Sequence, residues 1–370
     1  MLIGSTDPQR MVPPEALEAA LAFAVEGDIK AVMPLGRGLI NDTYRVEQGA
    51  GSWVLQRLNP LVFESPEAIM DNLHAMATHL ESKSLDPEGI QLPKPLWTLE
   101  GRRLFRGRDD QCWRAITYID QSLSLERIAK PSEAFEVGRA LGLFHGLFDD
   151  LSPERLHDTL PGFHEAPGYL LALDHRVAQG PLEGSSGSVL EALHFIDARR
   201  DLVPVLERGK LKGDLPLTIM HGDPKLDNVL FDRAGVRAIS LIDLDTVKPG
   251  LRHYDLGDCF RSCCNVAGEA EGGSVVFDLA IFEALLGGYF KVARGFFSRV
   301  DVDYLYDAIL LLPLELGIRF LTDHFLGDAY FKVDHPGQNL LRAQRQFQLV
   351  ASIEAQEVAL RAIIERLYRG

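Results

Sequence analysis

The sequence predicts an α+β chain, a small antiparallel sheet with one inserted helix followed by a larger, mostly helical unit. Short runs rich in Val, Ile, Leu, Thr, Tyr and Trp crowd the first 120 residues, and apolar residues at helical spacing dominate from about 121 onward. Size agrees: 370 residues, at roughly 150 per domain, give two units. The expected domains are 1–120 and 121–370, with a hinge at 119–123.

Taken in order, residues 13–27 open on two prolines, carry apolar residues at helical spacing and stop at Gly27, which reads as a helix. Runs 29–35, 43–47 and 53–58 read as strands, separated by Gly36-Arg37-Gly38 with Asn41-Asp42 and then by a turn at Gly49–Ser52. A helix is expected over 65–82, started by Ser65 and Pro66, with Ile69, Leu73, Met76 and Leu80 on one face. Strands near 95–99 and 112–119 complete the sheet. Beyond it, helices are expected at 132–149, 187–209, 274–297, 302–326 and 336–368, broken by strand-like runs at Val229–Phe231 and Ala238–Ile242.

Composition narrows the function classes. Lys and Arg number 38 against 53 Asp and Glu, a net charge of 38 − 53 = −15. An acidic chain lacks the basic stripe that nucleic acid requires, so no nucleic-acid partner is expected. No run of about 18 apolar residues offers a membrane span, and the opening MLIGSTDPQRM lacks an export signal. Cys112, Cys259, Cys263 and Cys264 match no zinc spacing and are expected to be reduced, buried thiols of a cytoplasmic protein.

The densest signal is HGDPKLDN, from His221 to Asn228, followed by Val-Leu-Phe, a turn and Leu241-Ile242-Asp243. An Asp, an Asn five residues on and a second Asp fifteen beyond that form the set that phosphoryl transfer from a magnesium nucleotide needs. One carboxylate orients the attacking hydroxyl and takes its proton, while an amide oxygen and another carboxylate hold the metal. Protein kinases write this loop H-R-D-x-x-x-x-N, with the same offset from Asp to Asn. Lys225 is expected to steady the γ-phosphoryl oxygens, and Asp245 to reach a second cation or its waters. Taken singly, these pieces also read as a solvated turn, with Asp227-Asn228 as an Asx turn before a strand.

The loop and the Ile-Asp strand end resemble the aminoglycoside phosphotransferase and choline kinase superfamily, whose members share a bilobal protein-kinase-like fold. GRGLINDTYRV, WVLQRLN, HGDPKLDNVLFD, LIDLDTVKPG, YDLGD and above all GIRFLTDHFLGDAYF together resemble the N-acetylhexosamine 1-kinases, over about residues 29–360. That resemblance implies ATP and Mg2+ as cofactors and the anomeric hydroxyl of an N-acetylhexosamine as acceptor. It also implies Asp223 as base, Asn228 and Asp243 as metal ligands, and Arg319 and Tyr330 at the sugar. Without it, Glu315, Arg319 and Asp323 at i, i+4, i+8 read as a salt-bridge ladder on a helix, and Tyr330 as a core tyrosine.

Other positions are less specific. Gly36-Arg37-Gly38 between two strands is a candidate phosphate loop, with Asn41 and Asp42 lining the same cavity. A kinase presents a lysine on its third strand. WVLQRLN has none, so Gln56 or Arg57 stands in or the role is absent, and alternation lets only one of them face the nucleotide. Tyr118, Ile119 and Asp120 are where the adenine edge is expected. Asp255 and Asp258 either tie down the catalytic loop or reach the sugar, His221 braces the loop, and Glu67 is either the helix partner of the strand cation or a helix-start acid. Two other functions compete. A kinase of the same superfamily acting on an amino-alcohol, methylthioribose or aminoglycoside would suit the net charge. A non-catalytic ATP-binding module would suit the missing lysine alone.

Overall fold

The computed structural model describes residues 12–23, 27–36, 40–49, 51–84, 86, 88–180, 187–265, 268 and 273–370. The chain forms two compact units, one of residues 1–87, 91–122 and 154–160 and the other of 88–90, 123–153 and 161–370.

The first unit holds α1 (Pro14–Phe23), β1 (Ile29–Pro34), β2 (Asp42–Gln48), β3 (Gly51–Arg57), α2 (Pro66–Glu81), β4 (Pro95–Leu96), β5 (Phe105–Arg106) and β6 (Cys112–Thr117). The sheet runs β1-β2-β3-β6-β4, with β5 also on β6, and every pairing is antiparallel. Alternation divides its two faces. Tyr44, Val46, Trp53, Leu55, Trp113 and Ala115 pack with Ala16, Ala19, Ala20 and Phe23 of α1, whose small residues bring helix and sheet close. Thr43, Gln56 and Arg114 stand on the opposite face, in register across three strands. The segment 154–160 joins this unit partly through Asn72, whose amide exchanges two hydrogen bonds with the His157 backbone (2.7 and 2.9 Å).

The second unit continues with β7 (Ser122–Ser124), α3 (Pro131–Leu147), α4 (Ala166–Ala178), α5 (Gly187–Asp197), α6 (Val205–Lys212), β8 (Thr218–Met220), β9 (Val229–Asp232), β10 (Ala238–Leu241) and β11 (Lys248–Gly250). It ends in α7 (Arg252–Cys263), α8 (Leu279–Ala293), α9 (Arg299–Phe325), α10 (Gln338–Glu354) and α11 (Glu357–Arg369). Strands β10-β9-β7 make one small sheet and β11-β8 another. Helices α3 and α8 cross at glycines: a Cβ on Gly138 would lie 1.9 Å from the Leu285 carbonyl oxygen, and one on Gly288 1.9 Å from that of Phe135. From this pair, Arg139 donates to the Ala238 carbonyl (2.8 Å) and Glu136 accepts from the Ala238 N–H (3.1 Å). The strand that leads to Asp243 is thereby fixed to the helical core.

Two expected helices are broken and two were not expected. The run 187–209 splits into α5, which ends at Asp197, and α6, which starts after Pro204, with turns over 198–204 between them. The run 336–368 splits at Gln356, whose side chain donates instead to the carbonyls of Phe277 (2.9 Å) and Ser352 (3.1 Å). Helix α7 escapes a hydropathy reading because it buries polar side chains, among them Arg252, His253, Asp255, Asp258 and Arg261. Helix α4 opens on Ala-Pro-Gly, which reads as a connector. All four cysteines are buried and free, and burial pushes the Cys112 thiol up to about 11. Among the described residues no helix is long and apolar enough to cross a membrane.

Candidate active site

The loop after β8 is held by groups that use up its backbone polarity. Asp255 of α7, wholly buried, accepts from the N–H of His221 and of Gly222, each at 2.7 Å, and His145 of α3 meets the same carboxylate at 2.8 Å. Of its two expected roles, tying down the loop is the one this geometry serves. Gly222 sits at φ +86°, and a Cβ there would lie 2.7 Å from the Thr246 carbonyl, so only glycine fits. The Thr246 hydroxyl donates to the His221 carbonyl (2.8 Å). His221 braces the loop as expected: its Nδ1 accepts from the Asp223 N–H (3.3 Å), and its Nε2 donates to the Ile242 carbonyl (3.0 Å). Burial pushes its pKa down, which keeps the ring neutral and able to accept.

Asp223 projects from this frame with its side chain 25% exposed. Its Oδ2 receives the Lys225 ammonium (2.6 Å) and the Asn228 amide (3.0 Å), and that amide also reaches the Asp223 carbonyl (2.8 Å). Burial works to lower the Lys225 pKa, but the charge and hydrogen bond of Asp223 outweigh it and the net shift is upward. The Ile242 N–H donates to the Asn228 carbonyl (2.9 Å), so the hairpin brings Asp243 back beside the loop. Asp243 itself adopts the left-handed region (φ +63°, ψ 56°), unusual for a residue other than glycine. Asp245 is buried in the short turn that follows.

Around the loop, α7 and α9 add further charge. Asp258 accepts from Arg261 (2.8 Å), and its other oxygen has no hydrogen-bond partner among the described residues. Burial raises its pKa, but Arg261, His164 and Lys225 together pull it below the ordinary value. Glu315 meets His164 Nδ1 at 3.0 Å and Arg319 at 3.8 Å. The guanidinium of Arg319 lies over the rings of Tyr169 (5.0 Å), Phe163 (5.3 Å) and Phe331 (5.6 Å). The ladder read from spacing stops there. Asp323 turns instead to the N–H groups of Tyr330 (2.8 Å) and Phe331 (2.9 Å) and to the Asn339 amide (2.9 Å). It folds the segment that presents Tyr330, which is 57% exposed and so not a core tyrosine.

Comparison with known proteins gives the family and the fold. Residues 31–292 match the family described as "Phosphotransferase enzyme family" (APH). The chain belongs to that family. The phosphotransferase is 28% identical over 314 residues to a homoserine kinase of Parvibaculum lavamentivorans, covering 80% of this chain and 87% of the relative. Its fold is similar to that of a microcompartment-associated aminopropanol kinase (TM-score 0.64, 17% identity, 94% of this chain and 98% of that one). It is also similar to an amicoumacin kinase in complex with AMP-PNP and Ca2+ (TM-score 0.59, 13% identity, 96% and 94%). The fold is therefore the protein-kinase-like phosphotransferase fold, an antiparallel sheet unit and a helical unit, and the protein is a small-molecule kinase of this family.

In the first unit of the phosphotransferase, the two stand-ins for the strand lysine are both engaged. Arg57 pairs with Asp42 on the α1 face of the sheet. Gln56 faces the other way, and its Oε1 accepts from Arg114 Nε (3.0 Å) and NH2 (2.7 Å) while its amide donates to the Thr43 hydroxyl (3.1 Å). The cation on that face thus comes from β6, one strand over, which only strand pairing reveals. Glu67 pairs with Arg106. Asn41 accepts from the Asn59 N–H (3.1 Å). Tyr118 lies under the Arg45 guanidinium (4.7 Å), the Ile119 carbonyl accepts from Ser122 (2.7 Å), and Asp120 is exposed. Gly36 has φ +69°, while Arg37 and Gly38 fall outside the described residues.

Among the described residues no three His, Cys, Asp or Glu side chains are grouped to hold an ion. Asn228, Asp243 and Asp245 carry one amide and two carboxylates, the oxygen donor types that a hard divalent cation takes when phosphate oxygens complete its shell. Sequence reasoning missed His164 and Tyr169. Neither stands in a motif, and the Phe163-His164 pair carried no signal apart from its tertiary partners.

Proposed function

We propose that this phosphotransferase transfers the γ-phosphoryl group of ATP to the anomeric hydroxyl of an N-acetylhexosamine. Asp223 orients the hydroxyl and takes its proton, and Lys225 swings between Asp223 and the γ-phosphoryl oxygens. Asn228 and Asp243 hold Mg2+, which neutralises phosphate charge when bound, with Asp245 behind them for a second cation or its waters. Gly36, Arg37 and Gly38 take the phosphates, and Tyr118, Ile119 and Asp120 the adenine. Asn41, Asp258, Arg319 and Tyr330 line the acceptor side. Positioning and charge neutralisation supply most of the acceleration, because the transferring group is loosely bonded in the transition state.

One observation supports a neutral, hydroxylated acceptor over a cationic one. Three carboxylates near the acceptor residues already have a cation: Asp223 has Lys225, Asp258 has Arg261, and Glu315 has His164 and Arg319. A bare ammonium finds no uncompensated charge among these three, whatever the net charge of the whole chain. The likeness to a homoserine kinase favours a second reading, an amino-alcohol acceptor such as homoserine, with its carboxylate on Arg319. An ADP-release assay across N-acetylglucosamine, N-acetylgalactosamine, homoserine, choline and kanamycin separates the two. Turnover on the acetylated sugars, with an anomeric phosphate in the phosphorus NMR spectrum, is expected; turnover on homoserine alone overturns the sugar reading. Arg319→Ala is expected to raise the acceptor KM about tenfold or more, as loss of a charged hydrogen bond does, with the ATP KM unchanged.

A further inference from the structure

We propose that His164 is a positioning residue for phosphoryl transfer: a doubly donating imidazolium that ties the Gly222 carbonyl of the catalytic loop to Glu315 of α9 and so sets the orientation of Asp223. The inference rests on reading Asp223 as the base. Three buried histidines surround the loop, and their partners differ in kind. His221 accepts at Nδ1 from the Asp223 N–H, and His145 has at Nδ1 the Tyr289 hydroxyl (2.9 Å), which can donate. His164 has no donor on either side. Nδ1 faces the Glu315 carboxylate at 3.0 Å and Nε2 the Gly222 carbonyl at 2.8 Å. A carbonyl and an ionised carboxylate only accept, so with Glu315 ionised both ring nitrogens carry hydrogen.

The rest of the residue is held for that purpose. Its backbone sits at φ +65°, in the left-handed region that a residue other than glycine keeps only where packing over-determines it. Its ring stacks on Tyr254 (5.6 Å) and lies 4.0 Å from that of Phe163. The Gly222 carbonyl and the Asp223 N–H belong to one planar peptide. With that N–H on His221 and the carbonyl on His164, the plane that launches the Asp223 side chain is fixed at both edges. The far end of the bridge, Glu315, is one helical turn from Arg319, so the same contact sets α9 against the loop.

The charged groups acting on the ring are Glu315 of α9, with Arg319 beside it, and Asp258 of α7, with Lys225 near it, and the phenols of Tyr254 and Tyr169 lie alongside. Burial acts to lower the His164 pKa, but the Glu315 charge and hydrogen bond outweigh it, aided by Asp258 and the Gly222 carbonyl, and the net shift is upward. The imidazolium is the form that both accepting partners favour. As pH rises through the raised pKa, one bridge hydrogen is lost and kcat falls.

Histidine-selective 15N NMR on the whole protein, without acceptor, tests the charge. At pH 7 both His164 ring nitrogens are expected to be protonated, and Glu315→Gln is expected to move their titration to lower pH; a neutral ring at pH 7 overturns the proposal. The kinetic arm uses Mg·ATP with N-acetylglucosamine. His164→Asn is expected to lower kcat about 10–100-fold through misplacement, leave the ATP KM within about twofold, and remove the alkaline limb of the kcat profile that His164 contributes. Glu315→Gln is expected to shift that limb to lower pH, and it decides the matter if His164→Asn does not fold. Profiles for both variants that superpose on wild type overturn the proposal. If the wild type turns over homoserine and not the sugar, the acceptor reading fails, and the same variants are measured on homoserine.

Discussion

The two carboxylate oxygens of Asp223 are not equivalent. Its Oδ2 is occupied by Lys225 and Asn228, and no described group meets Oδ1. Asn228 thus does two things: its amide nitrogen orients Asp223, and its amide oxygen is the part available to a cation. Asp223→Asn is expected to lose about 10²–10⁴ in kcat while ATP still binds; calorimetry with ATP alongside a turnover assay checks it, and near-normal turnover removes Asp223 as the base. Asn228→Ala and Asp243→Ala are expected to raise the Mg2+ concentration needed for half-maximal rate. An unchanged requirement in both rejects the ligand assignment.

At the scale of elements, the site depends on helices placed by close approach more than by apolar stripes. The α3 and α8 backbones meet at Gly138 and Gly288, with no room for a methyl group at either. Helix α3 then fixes β10 through Arg139 and Glu136, and the loop amides through His145 and Asp255. Gly138→Ala is expected to push the helices apart at a cost of about 1–3 kcal/mol, read from the denaturant midpoint, and to lower kcat with it, because the same helix supports both ends of the catalytic hairpin. Unchanged stability would show that the pair can separate freely. Helix α9 is divided by function along its length: Glu315 faces His164, Arg319 lies among three rings, and Asp323 folds the segment of Tyr330.

For the whole molecule, the buried histidines predict how stability follows pH. Burial depresses the pKa of His145, His221 and His253 below the ordinary 6.5. Below that pH the unfolded chain takes up protons that the folded one refuses, so stability falls on acidification. His164 has the opposite sign. Its pKa is raised, and its contribution, full below 6.5, is lost as pH rises through the folded value. Denaturant midpoints are expected to be lower at pH 5 than at pH 7, and equal midpoints would contradict the linkage. The grouping of Asp223, Lys225 and Asn228 in one loop, with Asp243 returned by the hairpin, was legible in sequence, because it depends on short, fixed offsets along the chain. So was the sheet-then-helix order, since periodicity is a local property of the chain. Helix α7 was not, because its polar side chains are buried against partners far away in sequence, and hydropathy cannot register pairing. Nor was the cation of the sheet: Gln56 and Arg114 lie 58 residues apart and meet only through strand register. The sequence alone determined which polar side chains the loop and the hairpin carry together, since covalent spacing delivers them. Only the tertiary structure decided which distant side chains hold and charge them, because hydrogen bonds between buried groups exist only once the backbone has closed around them.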